Sequence, residues 1–330
     1  MILKVEHARK YFPIRKGVFL QVAGYVKALE EASFEITEGE TVGIVGESGC
    51  GKTTLGRVIV RIYEPTSGQI QYTDRNGSVH TIDKRTPRPI MKHFRRDVQM
   101  VFQDPYNSLD PRMTIGDILK EPLDVHFPKM SEKGKNQKVG DLLLRVGLYP
   151  EYMNRYPHEF SGGQRQRISI ARSIASEPRL VICDEPTSAL DVSVQSQIVN
   201  LLKDIQQQQR NAFLFISHNL DLIHHLSDRI LVMYLGNVVE EGNATRVFDH
   251  PRHPYTQMLM GAIPDWDPEN RKLREFKLQG EPPSPINPPK GCPFHTRCPE
   301  VMEICSQEKP SMIGCGDQHQ TACHLLSNKP

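Results

Sequence analysis

The chain has 330 residues, a formal net charge of +2, 38% hydrophobic residues and 24% charged residues. This length allows one large or two ordinary domains, and the small net charge gives no electrostatic argument for nucleic-acid binding. No apolar run approaches the ~20 residues of a membrane helix, and the first residues lack the layout of a signal peptide. The composition therefore predicts a cytoplasmic globular protein whose thiols stay reduced.

A glycine-rich motif between a predicted strand, Thr41–Val45, and a predicted helix is the first strong signal. The motif G-x-x-x-x-G-K-[ST] comprises Gly46, Glu47, Ser48, Gly49, Cys50, Gly51, Lys52 and Thr53, and Thr54 follows it. Glycines expose backbone N–H groups to phosphate oxygens, and the helix directs its positive end at the same anion. The pattern predicts a phosphate loop in which Lys52 contacts phosphates and Thr53 ligates Mg²⁺; the alternative is a glycine-rich turn that matches by chance.

The segment SGGQRQR, residues 161–167, predicts a second anion cradle at a helix N-terminus. Ser161 is a good N-cap, Gly162 and Gly163 leave backbone N–H groups open, and Gln164 begins an amphipathic helix. One chain rarely needs two cradles for one phosphate group. A dimer does, if each nucleotide lies between the phosphate loop of one subunit and the second cradle of the other.

Two further strand ends carry chemistry-bearing side chains. The apolar segment 180–183 ends in Asp184 and Glu185, where α/β sheets bind ligands. Asp184 is predicted to hold the Mg²⁺ shell and Glu185 to polarise the attacking water; the alternative is an acid pair that merely faces solvent. The apolar segment 212–216 is followed by Ser217 and His218, and this histidine can hydrogen-bond a γ-phosphate or the attacking water.

These motifs, in this order, resemble those of the ATP-binding-cassette (ABC) ATPases over about residues 1–250. The shared motifs are the phosphate loop at 46–54, Gln103 as the glutamine loop, the signature at 161–167, the acid pair in 180–185, SALD at 188–191 with Asp191, and the switch histidine His218. Phe160 departs from the leucine that is usual before SGGQ.

The resemblance implies an α/β fold with a RecA-like core, an antiparallel β subdomain and a helical subdomain at about 104–160. It implies ATP hydrolysis, with Mg²⁺ held by Thr53, Gln103 and Asp184 and with Glu185, His218 and Gln103 as catalytic residues. In the helical subdomain, helices are predicted at 114–123 and 138–148, joined by a polar, basic connector.

The family also implies an aromatic residue that stacks on adenine. Phe12 stands in the matching place after Lys10, and Tyr11 lies beside it. A spacer, residues 13–25, then blurs the alignment, so that Tyr25 stays an alternative. A plain core role for Phe12 or Tyr11 is the other alternative.

The segments HPYTQ at 253–257, GAIP at 261–264 and GEPPSPINPPKGCPF at 280–294 resemble the ATPase subunits of oligopeptide and dipeptide importers. This resemblance divides the chain into an ABC ATPase domain, 1–250, and a C-terminal extension, 251–330. It implies ATP-powered peptide import by a chain that lies peripherally on the inner face of the cell membrane. The implied partners are a second ABC ATPase subunit (itself or a homologue), two transmembrane permease subunits and an extracytoplasmic peptide-binding protein. Nickel or oligosaccharide import is an alternative, and a soluble ABC protein acting in DNA repair or on ribosomes is another.

Five of the seven cysteines crowd into residues 292–323: Cys292, Cys298, Cys305, Cys315 and Cys323. Four soft ligands suit a [4Fe–4S] cluster, or a closed zinc site with help from His295, His319 or His324; unligated thiols are a third alternative. The spacing alone leaves Cys315 and Cys323 open as the fourth ligand. The importer resemblance implies a [4Fe–4S] cluster on Cys292, Cys298, Cys305 and Cys323. Its expected role is to hold together a loop-rich tail with little apolar content; a redox or iron sensor is the alternative role.

Overall fold

The computed structural model of the chain describes residues 1–262 and 280–327. Two compact units divide these residues. The loop unit contains Lys4–Glu35, Thr41–Gln71 and the described residues from Ile216 onward, and therefore carries the phosphate loop and the tail. The signature unit contains Met1–Leu3, Ile36–Glu40 and Tyr72–Phe215, and carries SGGQ and the acid pair.

The described chain begins with three consecutive strands and then mixes strands and helices. The strands are β1 Leu3–Lys16, β2 Gln21–Ile36, β3 Thr41–Val45, β4 Ser67–Thr73, β5 Val79–Thr81, β6 Val98–Val101, β7 Leu180–Asp184, β8 Ala212–Ile216, β9 Arg229–Tyr234, β10 Asn237–Asn243, β11 Ile313–Gly314 and β12 Gln320–Thr321. The helices are α1 Lys52–Ile59, α2 Arg88–Asp97, α3 Pro105–Ser108, α4 Ile115–His126, α5 Glu132–Arg145, α6 Gly162–Ile174, α7 Val192–Gln209, α8 Leu220–Leu226, α9 Ala244–Asp249, α10 Pro254–Gly261 and α11 His324–Ser327.

The loop unit is built on a mixed sheet in the order β4-β1-β2-β10-β9-β3. β3 and β9 are parallel, with Val42 opposite Arg229 and Val45 opposite Val232, whereas β9 and β10 are antiparallel. The side chains of β3 are buried throughout, which matches its continuous apolar sequence. The strand therefore delivers the chain from the core directly into the phosphate loop.

Residues 13–25, expected from the sequence to be a spacer, instead belong to a β-hairpin. These residues form the ends of β1 and β2 and the turn between them, in which Gly17 has φ +76° and Leu20 N–H donates to Gly17 O at 3.1 Å. The glycine supplies the left-handed backbone that the tight turn needs. Phe12 consequently belongs to a continuous strand of the hairpin.

The signature unit has the sheet order β8-β7-β6, and β6 and β7 are parallel with Val98 opposite Leu180. The signature helix α6 packs against β6 and against α3, α4, α5 and α7. Thus the helices that lie between Gln103 and the signature pack around the helix that the signature begins.

The helical subdomain differs from expectation at one connector. α4 matches the first predicted helix, but α5 begins at Glu132 with Ser131 as its N-cap, so that more than half of the expected polar connector, residues 128–138, is helical. The Lys135 amine is nearly buried and pairs with Asp124 of α4 as well as with Glu132. A capping serine and this ion pair outweigh the polar composition that suggested a connector.

The tail joins the loop unit through backbone pairing. β12 runs antiparallel to β10, with Thr321 opposite Glu240, and Ala322 N–H donates to Val239 O at 2.8 Å. Of the importer-like segments, Ile263 and Pro264 of GAIP lie outside the described residues, whereas HPYTQ spans the start of α10. The proposed division at residue 250 stays a prediction.

None of the helices in the described part of the chain is long and apolar enough to cross a membrane.

Candidate functional site

The phosphate loop connects β3 to α1 and needs glycine at particular positions. Gly51, the N-cap of α1, has φ +106°, and a Cβ there would lie 2.3 Å from Ala28 O. At Gly46 a Cβ would lie 2.2 Å from Met233 O. Since real side chains do not tolerate such distances, the close approach of neighbouring backbone dictates both glycines.

Lys52 lies folded over the loop and is only 5% exposed. Its Nζ donates to Gly46 O at 2.7 Å, to Glu47 O at 2.9 Å and to Cys50 Sγ at 3.7 Å. All three acceptors are neutral as the pKa of the buried Cys50 thiol is raised by desolvation. None of these three acceptors carries a negative charge, so the contacts leave the ammonium able to attract an anion that enters the loop.

Glu47 ties the loop to the C-terminal part of the loop unit. Its carboxylate receives two hydrogen bonds from Arg297, at 3.0 and 3.1 Å, and its backbone N–H donates to the Tyr255 hydroxyl at 2.9 Å. Tyr255 is the tyrosine of HPYTQ, and Arg297 directly precedes Cys298 in the tail. Neither contact was expected from the sequence.

The acid pair ends β7 in the signature unit. Asp184 is fully buried, and Glu185 has a left-handed backbone with φ +46°. Gln103 Nε2 donates to Glu185 Oε2 at 3.1 Å. The structure thus brings the predicted glutamine-loop residue and the predicted base together, although they are far apart in sequence.

The signature residues begin α6 with reciprocal caps. Ser161 Oγ accepts from Gln164 N–H at 3.3 Å, and Gln164 Oε1 accepts from Ser161 N–H at 3.0 Å. Gly163 has little room on one side, because a Cβ would lie 2.6 Å from Val194 Cγ1. This capping box holds the helix start open at two glycines, as an anion cradle requires.

The remaining predicted nucleotide-site residues lie in three different places. Asp191 is the N-cap of α7 in the signature unit. His218 is exposed just after β8, between Ser217 and the N-cap of α8. Phe12 is half-buried, with its ring 5.1 Å from that of Tyr63 and the Lys10 amine 5.0 Å from its centroid.

The tail cysteines do not all share one environment. Burial raises the pKa of Cys323 to about 11, and the neighbouring thiols of Cys292, Cys298 and Cys305 raise it too. Cys292 likewise has a pKa raised to about 11, first by burial and then by Cys305 and Cys298, and its N–H donates to Cys305 O at 2.8 Å. Cys315 Sγ instead lies 3.8 Å from Ile313 O. The pKa of Cys323 therefore depends on the thiols of Cys292, Cys298 and Cys305 as well as on burial.

Across residues 1–262 and 280–327, no three His, Cys, Asp or Glu side chains form a group with metal-binding geometry. The metal-binding character expected of the tail therefore stays a prediction.

Sequence reasoning overlooked two residues that contact the phosphate loop, Tyr255 and Arg297. Tyr255 had a signal, since HPYTQ stood out as an importer-like segment. Arg297 had only its place beside a cysteine.

Family models match two parts of the chain. Residues 29–188 match a family described as "ABC transporter", and residues 239–305 match "Oligopeptide/dipeptide transporter, C-terminal region".

Curated relatives match nearly the whole chain. The oligopeptide transport ATP-binding protein AppF of Bacillus subtilis is 48% identical, covering 99% of this chain and 98% of its own. The di/tripeptide transport ATP-binding protein DppF of Pseudomonas aeruginosa is 46% identical over 98% of this chain and 97% of its own. The oligopeptide transport ATP-binding protein OppF of Escherichia coli is 45% identical over 98% and 96%.

Solved structures match the cassette. The ATP-binding cassette MJ0796, a dimer in a post-hydrolysis state with ADP and Pi, is 26% identical, with a TM-score of 0.63 over 74% of this chain and 99% of its own. CbiO1 from Clostridium perfringens, part of an ABC transporter complex, is 29% identical, with a TM-score of 0.61 over 76% and 91%.

Proposed function

This chain belongs to the ATP-binding proteins of oligopeptide and dipeptide ABC transporters, and from that premise we propose that it hydrolyses ATP to drive peptide uptake. The observation that carries the proposal is the phosphate loop, in which the buried Lys52 ammonium donates to three neutral acceptors. The relatives named for oligopeptide and di/tripeptide transport support the substrate class.

Some of the site residues bind the nucleotide phosphates, and others activate the attacking water. Lys52 and the loop N–H groups would bind the phosphates. Thr53, Asp184 and Gln103 would be the residues to hold Mg²⁺, which would supply positive charge to offset the negative charge of the transferred phosphoryl group. Glu185 accepts a proton from the attacking water, and its hydrogen bond from Gln103 orients the carboxylate. His218 donates to the γ-phosphate.

We assign adenine stacking to Phe12, supported by its half-buried ring and its place on β1. The variant Phe12→Ala should weaken ATP binding several-fold without altering inorganic-phosphate inhibition. Equal ATP affinity in Phe12→Ala and wild type would move the assignment to Tyr25.

The signature supports a working dimer. Ser161, Gly162, Gly163 and Gln164 would bind the ATP that the phosphate loop of a second ABC ATPase holds, and Asp191 would lie at that interface. A neighbour solved as a dimer supports this arrangement. Two permease subunits and an extracytoplasmic binding protein complete the proposed transporter, and the chain acts at the inner face of the membrane as a peripheral subunit.

The decisive experiment compares wild type with Glu185→Gln in vesicles that contain the permease subunits. Wild type should hydrolyse ATP and accumulate labelled peptide, whereas Glu185→Gln should bind ATP but release phosphate at least about 100-fold more slowly. Parallel vesicles with Ni²⁺ or an oligosaccharide test the alternative substrates. Uptake of either in place of peptide would reject the peptide assignment but leave the ATPase assignment intact.

We further propose that Cys292, Cys298, Cys305 and Cys323 hold a [4Fe–4S] cluster that acts structurally. The effect of Cys292, Cys298 and Cys305 on the pKa of Cys323 supports this ligand set. Four thiolates are the usual ligands of such a cluster, which would constrain the loops of the tail. Because burial raises the pKa values of Cys292, Cys298 and Cys323, cluster binding must displace the protons of these thiols.

Protein purified without oxygen tests the cluster. Iron and sulfide near four per chain are expected, and they should persist in Cys315→Ser but fall in Cys323→Ser. One zinc per chain, with no iron, would replace the cluster by the alternative metal. If iron persisted in Cys323→Ser but was lost in Cys315→Ser, Cys315 would be the fourth ligand in place of Cys323.

A further inference from the structure

Arg297 makes a nearly buried, two-pronged ion pair with the phosphate loop. Its guanidinium contacts both carboxylate oxygens of Glu47, at 3.0 and 3.1 Å. The two side chains are only 5% and 18% exposed. The planar guanidinium donates two parallel hydrogen bonds to the carboxylate, and at this burial the geometry fixes both side chains. A solvent-exposed ion pair does not restrain its side chains in this way.

The surroundings of Arg297 hold it in place. Its Nη1 lies 3.4 Å from the Tyr234 hydroxyl, and its guanidinium carbon lies 5.9 Å from the centre of the Tyr234 ring. The backbone on its N-terminal side turns sharply, since Arg297 N–H donates to Phe294 O at 3.0 Å and Phe294 is fully buried. Arg297 is therefore delivered to the loop by a packed segment of the tail.

Glu47 is held at its backbone N–H, at its carbonyl oxygen and at its carboxylate. Its N–H donates to the Tyr255 hydroxyl, its carbonyl oxygen accepts from the Lys52 amine, and its carboxylate accepts from Arg297. The backbone of Glu47 is consequently part of the cradle that positions the phosphate-binding lysine. Two of the three restraints come from residues more than 200 positions later in the chain.

Charge gives this arrangement a functional consequence. Glu47 places a carboxylate inside a loop that is built to bind a polyanion, where an uncompensated negative charge would repel phosphate. Arg297 cancels that charge at close range and in a nearly buried setting. The tail thereby removes an electrostatic penalty for nucleotide binding.

We propose that Arg297 is a positioning residue that orients and neutralises Glu47, so that the cysteine-rich tail sets the affinity of the phosphate loop for nucleotide. The proposal rests on nucleotide binding by this loop, but it does not depend on what the tail thiols bind. It assigns to the tail an effect on the ATP site beyond its own stability.

The test measures the affinities of purified protein for ATP and ADP in variants that remove one or both charges of the ion pair. Arg297→Gln should weaken ATP about tenfold and ADP about threefold, because the extra phosphate charge of ATP feels the exposed carboxylate more strongly. Glu47→Gln/Arg297→Gln should return the ATP affinity to within about threefold of wild type, since the repelling charge is gone. Arg297→Lys should lie between, because an amine keeps the charge but loses the fork.

Lys309→Gln provides the matched control. Lys309 is also a tail cation, and it pairs with Glu31 of β2 at 2.7 Å. Its removal should leave the ratio of ATP to ADP affinity unchanged.

Two results would overturn the proposal. One is an unchanged ratio of ATP to ADP affinity in Arg297→Gln, because general loosening of the fold weakens both nucleotides alike. The other is a double variant as weak as Arg297→Gln. If Arg297→Gln does not fold, Arg297→Lys decides, with wild-type affinity counting against the proposal. Wild-type protein that binds no ATP would instead refute nucleotide binding itself.

Discussion

In the phosphate loop, individual glycines adopt backbone conformations that residues with a side chain rarely adopt. Gly49 and Gly51 both have positive φ, but only Gly51 faces the backbone of β2, 2.3 Å from where a Cβ would lie. A Cβ at Gly49 would meet nothing within 4 Å. A side chain at Gly49 would therefore meet backbone strain alone, whereas a side chain at Gly51 would meet backbone strain and a steric clash.

Alanine at these two positions should give different costs. Gly49→Ala should lower the free energy of unfolding by about 1–2 kcal/mol, which is the cost of a left-handed L-residue. Gly51→Ala should cost at least about 2 kcal/mol more, because Ala28 O must also move. Urea unfolding of both variants measures the difference, and equal costs would contradict the steric argument.

Gln103 is the second residue for which a single contact, the one with Glu185, leads to a testable effect. Gln103→Ala should lower the ATP turnover number about tenfold while changing ATP affinity much less, because the orientation of Glu185 is lost. Gln99→Ala is the control, since Gln99 lies on β6 and donates to the backbone oxygen of Arg95. A matching loss of turnover in the control would mean that the effect comes from β6 rather than from the base.

At the scale of elements, α10 depends on a buried histidine. His253 is the N-cap, and its Nδ1 accepts from Tyr255 N–H at 3.0 Å. Burial lowers the pKa of His253 to about 4, although nearby Glu240 acts in the opposite direction. The helix that supplies Tyr255 to the phosphate loop is therefore capped by a neutral imidazole.

Acid should destabilise the loop unit through this cap. The folded pKa lies below the unfolded value of about 6.5, so the unfolded state binds more protons and stability falls as pH drops through the window from 6.5 to 4. By about pH 5.5 the loss should be about 1 kcal/mol. His253→Asn keeps a capping side chain but cannot titrate, so its stability should fall less over the same window. Identical pH profiles for both proteins would exclude His253 as the cause.

The elements that could be predicted from the sequence are those that carry a local motif. The phosphate loop, signature and acid pair each combine a strand or helix pattern with special residues within about ten positions, and the structure has β3, α6 and β7 at these places. By contrast, α5 began earlier than expected, because a cap and an ion pair to α4 decide its start. Contacts between distant positions leave no local pattern, and the pairs Glu47–Arg297 and Glu240–His319 were missed for that reason.

At the scale of the whole molecule, the tail is part of a folded core. Phe294 is fully buried, with its ring 5.2 Å from that of Tyr234 and 5.4 Å from that of Tyr255. Glu240 is also fully buried and lies 2.6 Å from His319 Nε2. The residues from 280 to 327 thus pack on the same unit that carries the phosphate loop.

Removal of the Phe294 ring should show this dependence. Phe294→Ala should lower the free energy of unfolding by about 3–5 kcal/mol, as expected for a large buried aromatic side chain. Val301→Ala in the same tail should change it by less than about 0.5 kcal/mol, because Val301 is 51% exposed. A small effect of Phe294→Ala would mean that the tail adds little to the stability of the unit.

The placement of β10 between β2 and β9 has a consequence for synthesis on the ribosome. β2 is complete at residue 36, but its neighbour in the sheet begins only at Asn237, so that some two hundred residues are translated before this edge is covered. An unpaired strand edge invites pairing with other chains. A nascent chain of this protein therefore carries an open edge through most of its translation, and the same late-made segments bring Tyr255 and Arg297 to the phosphate loop.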